Sequence, residues 1–497
     1  MHRRRRVLVV DLNNFSVYPT PPIGILAAVL RRAGHEVDVF SPLAVGVGGM
    51  TRERMPGRWS LPAALLNDRI ARSRAVWLRA TRSRVAEWMG RPILRQQDAV
   101  VDGFGAALSA HKPDIVLIST YLSFRDVCAR LCRIAQQAGV PMLVGGPYFA
   151  QRSVIDAWLD MPGLSALISG EVELQLPAIV EAVCEGTSLA AEPGVHVPGS
   201  CERGSLARPL TALDEVPYPD YGDFRWPTER PRIAPVITGR GCAWGACSFC
   251  SDVTSTAGRR WRSRSVDNVL GELAHHRDRH GVRHFVFTDL KLNGDLAVWR
   301  ALAGRMQDIV PDARWVGAVH VGREVDNGLG RADLEAAARS GCVRLTTGLE
   351  TGSQRLADLM RKGTSIERIG RFLDDAAAAG ISPRCTMILG YPGETTEDVE
   401  QSVAFLQTHA ASIERVSLNR LQVIAGTVLD RGLRMHAGRF GQVAVLGRDE
   451  AQATVETMDL AQRDRRYRRA SDRLIAQVQA INRRPLSGRA QDFDGVM

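Results

Sequence analysis

No uninterrupted apolar run in the 497 residues approaches the roughly 20 needed to cross a bilayer. The basic opening, Met1-His2-Arg3-Arg4-Arg5-Arg6, leads only into Val7 to Val10, too short for the apolar core of a secretory leader. A cytoplasmic location is therefore expected. Cysteine is also scarce: nine in so long a chain make no disulfide framework. Disorder is excluded by 45% apolar and 24% charged residues, the composition of a folded chain. At this length one hydrophobic core does not suffice, and two or three domains are expected.

The formal charge is +10, and much of it lies in the first hundred residues, at Arg3 to Arg6, at Arg52, Arg54 and Arg58, and from Arg69 to Arg84. Arginine spread this thinly reads as a solvated helical surface rather than a nucleic-acid stripe. Nucleic acid is not an expected partner.

The pattern predicts an α/β fold. In residues 1–185, short apolar runs at Arg6–Asp11, His35–Phe40, Asp114–Ser119, Met142–Gly145 and Ala166–Ser169 alternate with helical patterns at Ile23–Ala33, Phe124–Gly139 and Glu173–Cys184. That is the signature of a doubly wound parallel sheet, which binds ligands at the carboxyl ends of its strands. Asn13, Asn14, Thr120, Gly145-Gly146-Pro147 and Gly170-Glu171 would lie on that edge. An Arg-rich helical insert interrupts the pattern from about 45 to 110, and a proline-bearing linker spans 186–230. Residues 231–430 hold six strand–helix units, two short of a closed eight-stranded barrel, so a partial (β/α)6 barrel is expected. The small C-terminal segment, 431–497, reads as helical in its middle with a Gly/Asp-rich tail expected to fray.

Three of the cysteines fall within nine residues, in Thr238-Gly-Arg-Gly-Cys242-Ala-Trp-Gly-Ala-Cys247-Ser-Phe-Cys250. Structural zinc wants four protein ligands, and no fourth Cys or His is close in sequence. Three thiolates on a four-iron cluster would leave one iron open to a substrate or cofactor. Burial as small hydrophobes is the competing reading, but the Gly, Trp and Phe between them make a coiled loop rather than a core strand.

The loop resembles that of the radical S-adenosylmethionine (SAM) superfamily. The usual spacing there is Cys-x3-Cys-x2-Cys; this chain has Cys-x4-Cys-x2-Cys with a Trp-Gly before the second cysteine. Other landmarks follow in order: Arg259 to Ser265 after the loop, Thr288-Asp289, Gly348-Leu-Glu350-Thr-Gly352, Leu389-Gly390-Tyr391-Pro392-Gly393-Glu394 and Gly426-Thr427. The resemblance implies a 4Fe–4S cluster on Cys242, Cys247 and Cys250. It also implies SAM contacts at Phe249, Thr288, Glu350, Gly390, Tyr391 and Pro392, with Arg344 and Arg384 as carboxylate partners.

The first domain resembles the cobalamin-binding branch of that superfamily, through Pro21-Pro22-Ile23-Gly24, Gly145-Gly146-Pro147 and Gly170-Glu171-Val172-Glu173. Cobalamin is thereby implied at Asn13, Asn14, Thr120, Tyr121, Gly145, Gly146, Pro147, Tyr148, Gly170 and Glu171. The Asp-x-His-x-x-Gly motif of histidine-ligated cobalamin is missing, and His35 and His111 are poorly placed to replace it. The branch implies methylation of an unactivated carbon through a 5'-deoxyadenosyl radical and methylcobalamin. A small-molecule substrate is expected, with peptide and lipid open, and an external one-electron reductant such as flavodoxin or ferredoxin. Cyclisation or rearrangement without methyl transfer is the enzymatic alternative. A methylthiotransferase would need a second cluster, and Cys128 and Cys132, interleaved with Leu131 and Ile134, read instead as helix core. A non-enzymatic iron–sulfur or cobalamin sensor would need an output module, which no segment supplies. No residue acting directly on the substrate is assigned.

Overall fold

The computed structural model describes residues 3–12, 18–49, 56–189, 192–200, 204–435, 440 and 443–496. In the first domain β1 (Arg6–Asp11), β2 (Glu36–Phe40), β3 (Ile115–Ser119), β4 (Met142–Gly146) and β5 (Ala166–Ser169) run parallel in the order β2-β1-β3-β4-β5. β6 (Val195–His196), in the stretch expected to be linker, adds an antiparallel edge. All five residues of β3 are buried because helices cover both faces. Pro21–Arg32 and Leu176–Glu185 pack on one face, and Gln97–His111, Arg125–Gln137 and Arg152–Leu159 on the other. The strand order reverses between β1 and β3, and the crevice at their carboxyl ends is the place where such sheets take ligands.

The expected insert was drawn too long. Gln97–His111 belongs to the sheet as the crossover helix from β2 to β3, burying Val100, Val101, Phe104 and Leu108. Gly103 and Gly105 inside it weaken the helical signal. Gly103 is required by packing, since a Cβ there would stand 2.5 Å from a Val45 methyl. The insert proper is Ser60–Ala71, Val76–Gly90 and the single turn Pro92–Arg95.

The second unit opens with β7 (Ile233–Val236) and a two-residue hairpin, β8 (Gly239–Arg240) against β9 (Arg262–Ser263). It continues through β10 (His284–Phe287), β11 (Arg314–Val319), β12 (Cys342–Glu350), β13 (Ser382–Leu389) and β14 (Arg415–Arg420). The six long strands lie in the order β7-β10-β11-β12-β13-β14, all parallel, with no pairing between β14 and β7. Cys385, Met387 and Leu389 of β13 pack outward on Phe372 and Leu373, so Arg384 and Thr386 face the inside of the curve. The helix Thr396–Thr408 starts at a capping box formed by Thr395 and Asp398.

Beyond β14 the chain departs from the helical expectation. β15 (Val423–Ile424), β16 (Val443–Asp449) and β17 (Thr454–Asp459) form an antiparallel sheet in the order β15-β17-β16. It docks on the first domain, where Trp158 Nε1 donates to the Ala451 carbonyl (2.9 Å) and Gln452 Nε2 to that of Leu122 (3.0 Å). The expected helix follows at Arg465–Asn482. The tail does not fray. Gly488–Phe493 is a 3-10 turn, and Phe493 and Val496 are buried with Ile233, Val286, Val316 and Val343 on the inner face of the barrel. Asp492 pairs with Arg314 and with His284 (3.3 Å). Three apolar side chains, Ala490, Phe493 and Val496, outweigh the polar residues around them once a concave apolar surface is available.

Candidate functional site

The β8–β9 hairpin closes a loop that carries all three clustered cysteines. The loop is pinned along its length. Cys242 N donates to the Gly258 carbonyl (3.0 Å), Trp244 Nε1 to that of Arg361 (2.9 Å), and Ser248 donates from both N and Oγ to that of Met360 (2.9 and 3.0 Å). Ser248 Oγ also meets the Tyr391 hydroxyl at 2.8 Å. Cys242, Cys247 and Cys250 are free, partly exposed thiols. Burial, followed by Asp252 and the sibling thiols, pushes Cys250 up to about 12. Burial also raises Cys247, which Lys362 draws back down. Among the described residues no three His, Cys, Asp or Glu side chains gather tightly enough for a single metal ion. The thiols stand as separate donors around one loop, with a lysine ammonium near them to favour thiolates. That donor set fits a multi-iron cluster with one open iron.

Beside the loop, β12 ends in a bulge that turns Glu350 inward at φ +61°. Its Oε1 accepts from Lys362 Nζ (3.1 Å) and Thr386 Oγ1 (3.4 Å). Burial disfavours charge on Lys362, but Glu350 and then Cys247 outweigh it and hold the ammonium above its usual range. A Cβ at Gly348 would fall 2.3 Å from Glu350 Oε1 and 2.5 Å from Lys362 Nζ, so any larger residue there would have to displace this pair. Trp244 stacks on His320 at 6.1 Å and 17°. Burial, then Lys362 and Lys291, lowers His320 to about 3, so its ring is neutral near pH 7. Lys362 and His320 were missed in the sequence, where neither sits in a dense motif.

Other expected SAM contacts separate here. Thr288 turns its hydroxyl to the Val236 carbonyl (3.4 Å), while its neighbour Asp289 accepts from Thr238 N, Thr238 Oγ1 and Gly239 N at 2.8–3.0 Å, fixing the root of the cysteine loop. Tyr391 is fully buried as the prop of Ser248. Gly390 and Pro392 border a separate polar cavity. Arg384 lies inside the curve two residues before Thr386. Arg344 is a correction. It sits near the amino end of β12, remote from Glu350, and donates to the carbonyls of Phe493 (2.8 Å), Val496 (3.1 Å) and Ala490 (2.8 Å). It anchors the tail and is not placed to hold a SAM carboxylate.

The first domain brings Thr120, Tyr121, Gly145, Gly146, Pro147, Tyr148 and Gly170 to the carboxyl edge, as expected. Thr120 N donates to the Gly145 carbonyl (2.9 Å), and a Cβ on Gly146 would meet the Thr120 carbonyl at 2.1 Å. Beside these glycines the rings of Tyr121 and Tyr148 pair at 5.9 Å, tilted 45° to each other. Phe249, Tyr121 and Tyr148 all border the apolar core shared by the first domain and the barrel. Asn13 and Asn14 lie outside the described residues. His35 and His111 precede β2 and β3, at the amino end of the sheet. Glu171 is a second correction: its carboxylate takes two hydrogen bonds from Arg262 (2.6 and 3.0 Å) and one from Leu210 N (2.8 Å). Glu173 pairs with Arg240 at 2.8 Å. One arginine comes from each strand of the hairpin, so the first domain clamps the root of the cysteine loop.

Residues 236–406 match the profile of the Radical SAM superfamily. That stretch is similar to the radical SAM domains of the superfamily. An uncharacterized methyltransferase of Pyrococcus horikoshii is 26% identical over 318 residues, 62% of this chain and 67% of that protein. The cytidylyl-2-hydroxyethylphosphonate methyltransferase of Streptomyces wedmorensis is 26% identical over 344 residues, 59% of this chain and 62% of that protein, so less than two thirds of the latter is spanned. Two solved structures share the fold of the radical SAM domain together with the domain before it. The methyltransferase TsrM of Kitasatospora setae, solved with cobalamin and a 4Fe–4S cluster, superposes with TM-score 0.65 at 15% identity, covering 96% of this chain and 89% of its own. The cobalamin-dependent radical enzyme OxsB, solved with aqua-cobalamin, gives TM-score 0.68 at 15% identity over 92% of this chain and 65% of its own. The fold is therefore that of these two structures, a parallel-sheet domain followed by a partial barrel.

Proposed function

We propose that the chain is a cobalamin-dependent radical SAM enzyme that methylates an unactivated carbon of a small-molecule substrate. The observation that carries this reading is the clamp of Glu171 and Glu173 on Arg262 and Arg240. It sets the ligand edge of the first sheet beside the cysteine loop across a shared core. When bound, the cluster, SAM and cobalamin supply reductive cleavage of SAM to a hydrogen-abstracting radical and a transferable methyl group. Cys242, Cys247 and Cys250 would hold the cluster as its three protein ligands. Lys362 favours the thiolates electrostatically, and Glu350 receives the amino group or ribose of SAM. Phe249 borders the adenine and, with the core behind it, keeps water from the reacting atoms. Thr120, Gly145, Gly146 and the Tyr121–Tyr148 pair form the bed for the corrin.

An external one-electron donor such as flavodoxin or ferredoxin completes the cycle. Among the described residues no helix is long and apolar enough to cross a membrane, which accords with the proposed cytoplasmic location. Anaerobic reconstitution with iron, sulfide and hydroxocobalamin tests the reading: about four irons and one cobalt per chain are expected after desalting. Cys247→Ala should keep the cobalt and form no 5'-deoxyadenosine. Wild-type protein that retains iron but no cobalt would overturn the cobalamin-dependent reading.

A further inference from the structure

A polar cavity of about 50 Å3 lies between the Arg-rich insert, the carboxyl ends of β13 and β14, and the β15–β17 sheet. That volume admits a group of a few heavy atoms, not a whole substrate. Arg72 and Arg79 of the insert, Arg420 at the end of β14, and Arg463 line it, with Gly390 and Pro392 as one wall. Arg72 and Arg79 are more than nine-tenths buried, and Arg72 Nε and Arg79 Nη2 have no hydrogen-bond partner among the described residues.

Charge in this cavity is unbalanced. Asp68 is shared between Arg72 and Arg420 (3.0 Å to the latter), Glu456 takes Arg79 Nε (2.9 Å), and Asp459 lies in the lining. Arg82 stands close enough that burial, then Arg420, disfavours its charge, and the same two causes lower Arg72 to about 10. Asp472 and Arg468 also act on Arg72, so six guanidiniums (Arg72, Arg79, Arg82, Arg420, Arg463 and Arg468) face four carboxylates (Asp68, Glu456, Asp459 and Asp472). Glu394, behind Gly390, is pushed up to about 7 by burial and adds only part of a charge near neutrality. A buried surplus of cations with unfilled N–H groups calls for an anion. Guanidinium forks match the oxygens of a phosphate-like group, whose charge of about −1.5 to −2 near pH 7 answers the surplus better than a carboxylate.

We infer that this cavity binds a phosphoryl or phosphonyl group, the anionic handle by which the substrate is held at the mouth of the barrel. The substrate part of the inference rests on the proposed methyl transfer; the anion site does not. Calorimetry on the cofactor-loaded full chain at low salt tests it, with inorganic phosphate, methylphosphonate and acetate as probes. Phosphate and methylphosphonate should bind saturably, acetate more weakly, and Arg79→Gln should weaken phosphate binding at least tenfold. Arg463→Gln, at a half-exposed position that leaves the fold intact, should weaken it as well, and iron and cobalt content certifies both variants. Absence of saturable phosphate binding, or binding unchanged in both variants, overturns the site; tighter acetate overturns the phosphoryl assignment. Phosphate binding that disappears when cobalamin is loaded would assign the cavity to cobalamin's own phosphodiester and overturn the substrate handle. Phosphate that binds to a protein retaining no cobalt would leave this site standing and sink the methyltransferase reading.

Discussion

Replacing Arg344 by methionine separates the tail anchor seen here from the SAM contact that the sequence suggested. The guanidinium is fully buried and gives three hydrogen bonds to carbonyls of the tail, at 2.8, 2.8 and 3.1 Å. After the cost of burying the cation, each is worth about 1 kcal/mol, so the tail should lose about 3 kcal/mol of resistance to local opening. Methionine keeps most of the side-chain volume, which leaves the packing of Phe493 and Val496 largely in place. At 1.4 kcal/mol per tenfold, amides of residues 488–496 should exchange with deuterium about 100-fold faster. The Gln97–His111 helix, which touches none of this, should exchange as before. SAM affinity should not change, because Glu350 and Lys362 lie at the other end of β12. Unchanged exchange in the tail, or a loss of SAM affinity with the tail still protected, would refute the assignment.

Glu171→Gln keeps one acceptor for Arg262 but removes the charge both of its bonds use; with Glu171 16% and Arg262 10% exposed, about 1–2 kcal/mol should be lost from the clamp. The readout is retention of iron and the resonance of the reduced cluster, and wild-type values for both would reject the clamp's role in setting the loop. Glu394 titrates in the folded protein at about 7 against 4.5 in the open chain, so the fold binds this proton more tightly than the unfolded state does. Its contribution is fully present below about 4.5 and is lost as pH rises through 7. Thermal stability should therefore drop across that window in the wild type and drop less in Glu394→Gln; equal pH profiles would show that Glu394 is not the group responsible.

Most barrel strands were legible because they are buried runs set off by amphipathic helices, although β14 is buried only at Arg415 and Val416. Ser382–Leu389 and the helix capped at Thr395 emerge within a residue of their positions. The cysteine loop was legible because its three thiols are close in sequence. What stayed hidden depends on partners far along the chain: Glu171 and Arg262 are 91 residues apart, Arg344 and Phe493 149, and Arg79 and Glu456 377. The charged ends of such pairs do not differ locally from solvated charges, and the Phe493 carbonyl carries no mark in the sequence. β16 escaped notice for another reason: nearly all of its residues are exposed, so no apolar period marks it as a strand. Lys362 follows a short helix whose pattern stops one turn earlier, and only the fold brings it to Glu350.

The clamp on the hairpin also bears on the order of assembly. Glu171 and Glu173 leave the ribosome before Arg240 and Arg262, so the first domain can be folded when the cysteine loop emerges. The loop then closes against a surface already in place, and its mouth has its final width before any iron is delivered. A barrel excised from residue 231 onward would keep Cys242, Cys247 and Cys250 yet lose that template, and its cluster would be built on a loop whose two ends are free to part.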